Sequence, residues 1–375
     1  MGWLSGWQYR KSHVINPASG AGTNYQIRIK VNYGSGTDSG ENVYLNGKCR
    51  SDFGDIRFTG SDGVTLLDYW METKVDGNYA VFWVEVADDL SSNPATIYVY
   101  YGNYQATTTS NGENTFLFFD DFPGTTYDPD KWVVVGSPTI NVSNSELMLQ
   151  RDSYSGSWSI HGLRSKTFQM DEKRVLVKMK SSNASMGYVA VRADYDHYSV
   201  GRCEKMTVEQ GYVRITADKR DVGGSYNYAN LQSASSNTYY IIYGIRWGTS
   251  YFKGYVDGIY KGRVTTYLND GSAYIGLFIE EWGTHTTIIG TFDWIAVAKF
   301  VDPEPSHGAW GSEETAPVEI IVANDFPMQY LAEPATAKEL KSKVSGATIT
   351  HITKDFPETL IKTNKAKELR SKFTI

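Results

Sequence analysis

The chain has 375 residues, a formal charge of −6 and 14% aromatic residues, made up of 10 Trp, 27 Tyr and 15 Phe. No run of about 18 apolar residues occurs and turn-forming Gly is plentiful, which excludes a helical membrane protein, a coiled coil, collagen and a disordered chain. Scattered basic residues under an acidic balance exclude the basic stripe of a nucleic-acid binder, and the two distant cysteines, Cys49 and Cys203, read as isolated buried thiols rather than a disulfide framework or a CxxC metal site.

The first residues, Met1-Gly-Trp-Leu-Ser-Gly-Trp-Gln-Tyr-Arg10-Lys11, reach charge before any apolar stretch forms, so no signal peptide is visible. Over residues 1–106, runs at 26–32, 55–59, 80–86 and 95–101 alternate apolar with polar positions. Period two predicts half-buried antiparallel strands, separated by turns at Ser61-Asp62-Gly63 and Asp76-Gly77-Asn78. Residues 107–115 read as a polar linker. Residues 116–300 resume the same grammar, with strands at 174–180, 187–192 and 239–247 and a hairpin turning at Asp257-Gly258, which predicts a second two-sheet sandwich.

Residues 301–317 read as a Pro-rich linker. The tail, 318–375, changes composition and carries an imperfect duplication: Asn324-Asp-Phe-Pro327 recurs as Lys354-Asp-Phe-Pro357, and Ala337-Lys-Glu-Leu-Lys-Ser-Lys343 as Ala366-Lys-Glu-Leu-Arg-Ser-Lys372. Each copy predicts a strand, a Pro turn and a short amphipathic helix, too little for a large core of its own. The tail is therefore expected to anchor or oligomerise the protein. The expected fold class is mainly β: two consecutive antiparallel β-sandwich (jelly-roll) domains with a small α+β C-terminal repeat tail.

Five blocks carry a resemblance: Trp3-Leu-Ser-Gly-Trp-Gln-Tyr-Arg-Lys11, Gly54-Asp-Ile-Arg-Phe-Thr59, Leu66-Leu-Asp-Tyr-Trp-Met-Glu72, Val81-Phe-Trp-Val-Glu85 and Tyr98-Val-Tyr-Tyr-Gly-Asn103. In this order they resemble the domain of unknown function 2341 family. The resemblance implies a β-rich module that accompanies glycan-associated domains in large extracellular prokaryotic, archaeal and viral proteins, with no established catalytic motif. Residues 116–300 resemble the concanavalin A-like lectin/glucanase superfamily in its laminin-G-like branch, through Phe118-Phe-Asp-Asp-Phe122 with Trp132, the Tyr255-Val-Asp-Gly258 hairpin and Phe292-Asp-Trp-Ile-Ala-Val-Ala298. That implies a jelly roll whose concave face or rim loops hold sugar.

The Glu-x-Asp-x-x-Glu motif of the glucanase branch, which sets its carboxylates on one strand face at the separation a retaining enzyme needs, is absent. Glu280-Glu281 and Asp171-Glu172 are adjacent pairs, which point to opposite strand faces and are expected as solvated rim charges. Asp194-Tyr-Asp-His197 reads as a polar hairpin loop. No HxH or HExxH spacing suggests zinc, so no catalytic residue is assigned.

Calcium is the one cofactor for which carboxylates present themselves, with Asp120 and Asp121 on the first strand of the second sandwich and Asp293 on its last. For glycan binding the candidates are loop or edge aromatics able to stack on pyranose C–H groups: Tyr154, Trp158, Tyr195, Tyr198, Tyr226, Tyr228 and Trp282. Trp70, Trp83, Trp132 and Trp294 are expected in the core.

The expected function is non-catalytic recognition of a cell-surface or cell-wall glycan or glycoprotein, as in an adhesin or a virion spike or tail fibre. The expected setting is extracellular or on a virion surface, with a homo-oligomer or larger assembly formed through 318–375, no nucleic-acid partner and no membrane insertion. Two alternatives stand beside it: a polysaccharide hydrolase or lyase on the jelly roll, and a self-assembling structural protein of a virion, sheath or surface layer.

Overall fold

The computed structural model describes residues 2–317, apart from 153, 171–172, 183–186, 195–201, 210, 220–224, 248–249, 267 and 269–272. The duplicated tail, 318–375, lies outside the described residues, and with it the anchoring role expected there.

The chain begins with strands β1 (Tyr9–Asn16), β2 (Tyr25–Asn32), β3 (Asn42–Tyr44), β4 (Arg57–Thr59), β5 (Tyr69–Val75), β6 (Tyr79–Val86) and β7 (Ala95–Tyr101). A one-turn helix, α1 (Gly112–Thr115), is capped by the Asn111 side chain, which accepts from the Asn114 N–H. It lies within the stretch expected as linker.

Then come β8 (Phe118–Asp120), β9 (Trp132–Val135), β10 (Thr139–Ser143), β11 (Glu146–Arg151), β12 (Tyr154–Met170) and β13 (Lys173–Ser181). They are followed by β14 (Gly187–Asp194), β15 (Arg202–Glu209), β16 (Tyr212–Lys219), β17 (Ser225–Ser233) and β18 (Tyr240–Trp247). Strands β19 (Tyr251–Val256), β20 (Ile259–Val264), β21 (Ala273–His285) and β22 (Ile288–Lys299) complete that set, and two short strands follow, β23 (Ser306–Trp310) and β24 (Glu314–Thr315).

Among the described residues these strands form two sandwiches. In the first, a sheet of order β23-β1-β7-β4, with β24 also on β1, faces one of order β3-β2-β6-β5. All its pairs are antiparallel except β2 with β3. Inward residues such as Ile27, Ile29, Phe58, Phe82, Val84 and Val99 form its core. In the second, β10-β11-β22-β13-β18-β19-β20, with β8 on β22, faces β17-β16-β15-β14-β21-β12-β9. Its core takes one parity from each strand, as in Val189 and Val191, Met206 and Val208, Val213 and Ile215, and Ile275, Leu277 and Ile279. The mainly β jelly-roll class is thus present, and Trp70, Trp83, Trp132 and Trp294 are all buried as expected.

The stretch 301–317 is not a linker. β23 and β24 return to the first sandwich and pair with β1, with Tyr9 opposite Thr315 and His13 opposite Trp310. The sandwiches are therefore nested rather than consecutive, since the second is inserted between β7 and β23. Without the return, β1 would be a sheet edge with unpaired N–H and C=O groups. Trp310 stacks on the buried His13 ring at 3.7 Å between centroids, and His13 Nε2 lies 2.8 Å from His307 Nδ1. Prolines immediately before a five-residue strand hid this segment from a period-two reading.

Glu72 marks where the sandwiches meet. Buried in β5, it accepts from Trp83 Nε1 at 2.6 Å and from Tyr243 OH of the second sandwich at 2.8 Å. Around it, Trp70, Trp83, Phe116, Phe119, Tyr243 and Trp294 make one aromatic cluster, in which Trp70 meets Trp294 edge-on at 4.9 Å. β6 is accordingly buried on both faces. Gln26 adds two seam bonds, donating to the Thr115 carbonyl and accepting from the Lys299 N–H, both at 2.9 Å.

Candidate functional site

Because Ile275, Leu277 and Ile279 of β21 face the core, strand alternation turns Phe278 and Glu280 to the outer face of the seven-stranded sheet. The same parity rule places Tyr188 and Arg192 of β14, Lys205, Thr207 and Glu209 of β15, Tyr212 and Arg214 of β16, and Asn230 and Tyr228 of β17 on that face. Cross-strand register brings them side by side, with Tyr188 opposite Glu280, Arg192 opposite Lys205, Thr207 opposite Arg214, and Arg214 opposite Asn230.

At the β21 end of this face, Glu280 is fully buried. Its Oε2 accepts from Tyr188 OH at 2.6 Å and from Lys205 Nζ at 3.1 Å, and its Oε1 from Arg192 Nη1 at 3.0 Å. Burial and the adjacent carboxylate push the Tyr188 phenol well above its ordinary value. Trp282 packs edge-on to Tyr188 at 5.4 Å.

At the other end Arg214 organises the surface. It donates to Asn230 Oδ1 at 2.8 Å and Glu209 Oε2 at 3.2 Å, and its guanidinium lies 4.4 Å from the Tyr228 ring centre and 5.7 Å from that of Tyr212. Thr207 Oγ1 donates to Glu209 Oε1 at 2.9 Å. Tyr212 and Tyr228 are 42% and 47% exposed, so two aromatic rings face solvent with a held guanidinium between them.

Two of the aromatic candidates, Tyr228 and Trp282, therefore share one face, on strands rather than loops. Trp158 is exposed at the irregularity between Gly156 and Ser159. Tyr154 and Tyr226 lie in β12 and β17, with side chains outside the described residues, as are Tyr195 and Tyr198 altogether. The residues missed by sequence reasoning are Tyr188, Arg192, Lys205, Glu209, Tyr212, Arg214 and Asn230. Their signal was available: each stands at the parity opposite the Val, Ile and Met positions of its own strand.

Glu280 and Glu281 do point to opposite faces, but they are not solvated rim charges. Both are fully buried. Glu281 turns inward at the sandwich end, where its Oε1 accepts from Arg151 Nε and Nη2, both at 3.1 Å, and from Ser159 Oγ at 3.0 Å, while His285 Nε2 stands 3.3 Å from Oε2. A carboxylate leaves water in this way only when cations and hydroxyls replace its hydration. Asp171, Glu172 and His197 lie outside the described residues.

Two of the three aspartates considered for calcium have side-chain or backbone partners of their own. Asp120 is buried, its Oδ1 accepting from the Phe122 N–H at 2.8 Å and its Oδ2 from Trp132 Nε1 at 2.6 Å. Asp293 ion-pairs with Lys178, and Asp121 is exposed. Among the described residues no three His, Cys, Asp or Glu side chains gather as a ligand set.

Residues 52–135 match the family model described as domain of unknown function DUF2341. The matched segment runs from the Asp55 turn through Glu72 and Trp83 to β9, so it takes in the seam as well as part of each sandwich. The first of the five resembling blocks, at residues 3–11, precedes it. Over 99 residues the chain is 34% identical to the uncharacterized protein MJ1472 of Methanocaldococcus jannaschii, an alignment covering 24% of this chain and 18% of that relative.

Solved structures similar to the chain include the Bacillus licheniformis β-glucanase, at 16% identity and TM-score 0.40 over 49% of this chain and 98% of that one. A second is a β-1,3-1,4-glucanase (lichenase) derived from a mouse hindgut metagenome, at 14% and 0.39 over 49% and 99%. A third is a GlcNAcα1-4Gal-releasing endo-β-galactosidase from Clostridium perfringens, at 14% and 0.41 over 50% and 63%. Identities and scores at this level assign no activity to this chain.

Proposed function

We propose that the protein recognises a glycan, free or on a glycoprotein, without cleaving it, and that the outer face of the seven-stranded sheet is the contact surface. The observation that carries this reading is the arrangement around Arg214, where exposed Tyr212 and Tyr228 flank a fixed guanidinium beside Asn230 and Glu209. Flat rings stack on the C–H faces of pyranoses while fixed amide, guanidinium and carboxylate groups meet the hydroxyls.

The carboxylate geometry favours binding over hydrolysis. Double displacement needs two carboxyl groups about 5 Å apart, one free to act as nucleophile and one to carry a proton. Glu280 has both oxygens committed to Arg192, Lys205 and Tyr188, which holds it as an acceptor for its own protein.

Titration calorimetry of the full chain against a panel of cell-wall and surface polysaccharides tests the reading. Binding is expected for at least one polymer, weakened about tenfold or more by Arg214→Ala, with no reducing ends released. Reducing-end release abolished by Glu280→Gln would overturn it in favour of an enzyme, and absence of binding to every polymer would remove it.

A further inference from the structure

A second recess lies in the seam between the sandwiches, on the far side of the second core from the Arg214 surface. It encloses about 260 Å³ and is lined on one side by Arg28 and Glu41, on the other by Arg174, Tyr243 and Tyr255, and at its mouth by Glu304 of the returning segment. This is a little below the ~300 Å³ at which pockets for drug-sized ligands begin, so its natural occupant has one ring.

The lining is rich in unused hydrogen-bonding capacity. A guanidinium carries five N–H donors. Among the described residues Arg28 donates to Glu41, at 2.5 Å, and stands 4.0 Å from Glu72 through Nε, and Arg174 ion-pairs with Glu304. The Nε of each arginine is buried without a hydrogen-bond partner, and Arg174 as a whole is 7% exposed. A buried guanidinium N–H with no hydrogen-bond acceptor is costly unless something rich in oxygen meets it.

Charge decides what kind of oxygen. The two arginines are met by Glu41, Glu304 and the buried Glu72, whose Oε2 lies 4.0 Å from Arg28 Nε, so the recess has no positive excess to draw in an anion, and the carboxylates would repel one. Each carboxylate also keeps lone pairs for a hydroxyl donor. Alternating donors and acceptors beside the Tyr243 and Tyr255 rings suit a ring whose edge is hydroxyl and whose face is C–H. The aromatic cluster around Trp70 and the Glu72 bonds hold both walls in place, so the recess is preformed and little ordering opposes binding.

We propose that this recess is a binding site for a single neutral monosaccharide unit, separate from the polymer-binding outer face. The seam then reads a chain terminus or a free sugar, whereas the open face reads an extended stretch of polymer.

The test is saturation-transfer difference NMR on the full chain with glucose, galactose, mannose and N-acetylglucosamine as probes, and glucuronate as the charged comparator. At least one neutral sugar is expected to show transfer at about 10 mM, well above a millimolar Kd. Arg28→Ala and, at the half-buried rim, Tyr255→Ala should each weaken it about tenfold, with folding verified by thermal melts. The outer-face double variant Arg214→Ala/Tyr228→Ala should leave it unchanged while abolishing polysaccharide binding, which separates the two sites. The proposal is overturned by absence of transfer from all four neutral sugars, by transfer from glucuronate alone, or by a signal that the outer-face variant removes and the seam variants do not.

Discussion

The seam between the sandwiches and the outer face of the seven-stranded sheet are both built from aromatic rings, arginines and glutamates, yet the same residue types serve opposite ends. At the seam, Trp70 meets Trp294 edge to face, and Trp83 and Tyr243 turn their polar atoms to Glu72. On the outer face, Tyr212 and Tyr228 present their rings to water across Arg214. What separates the packed aromatics from the exposed ones here is whether a second layer covers them. Polar residues in the blocks that carry the family resemblance are also held by partners within the protein. Asp55, for instance, accepts from the N–H groups of Arg50, Gly102 and Asn103, and Arg10 donates to Tyr100 OH and Glu314.

The sharpest way to break the comparison is Trp70→Ala. Emptying the centre of the seam should cost about 3–5 kcal/mol, and urea unfolding followed by tryptophan fluorescence should split into two transitions as the sandwiches uncouple. A single unshifted transition would show that the seam is not what joins them.

Glu280→Ala probes the one place where the outer face behaves like the seam. It leaves Arg192 and Lys205 without their shared carboxylate, and loss of one partner of a buried ion pair typically costs about 3–5 kcal/mol. We expect about 3 kcal/mol by chemical denaturation, with the conservative Glu280→Gln recovering part of it.

A pH titration addresses the return strand. Burial holds the His13 imidazole down at about 3, and burial lowers His307 as well. The folded state keeps His13 neutral where the unfolded chain, at about 6.5, takes up a proton. Stability is therefore whole above about pH 6.5 and is lost as pH falls toward about 3, at no more than about 1.4 kcal/mol per unit for each histidine. The groups facing His13 are the His307 ring, the Trp310 ring and the Ala309 backbone. Unfolding free energies from urea titrations at pH 7.5 and 5 should differ by about 2 kcal/mol, and a His13→Phe variant should flatten the difference.

The smallest effect is expected from Tyr228→Ala, an exposed position where stability should move by less than about 0.5 kcal/mol while polysaccharide affinity falls. A matching loss of stability would place Tyr228 with the covered aromatics.

Period-two alternation was enough to read the strands, the turn at Asp257-Gly258, with φ of 51° and 79°, and the buried tryptophans, because each is decided by neighbours in sequence. Nesting was not legible, since pairing of β1 with Ser306–Trp310 joins residues nearly 300 positions apart and a five-residue strand just after Pro303 and Pro305 carries little periodic signal. The burial of Glu280 and Glu281 escaped for a related reason: their neutralising cations, Arg151, Arg192 and Lys205, come from other strands. Tyr228 and Trp282 were found as aromatics and misplaced as loop residues, because alternation seen one strand at a time does not show which polar positions line up across five strands.

The returning strand also settles how the molecule bears load. Tyr9 at the head of β1 lies opposite Thr315, so tension applied before residue 9 and after residue 315 enters and leaves at the same end of one antiparallel pair. Such a pull opens hydrogen bonds one after another, as a zipper does, instead of shearing them together. Until that zipper opens, the inserted sandwich lies outside the line of force, and both the Arg214 surface and the seam recess keep their shape.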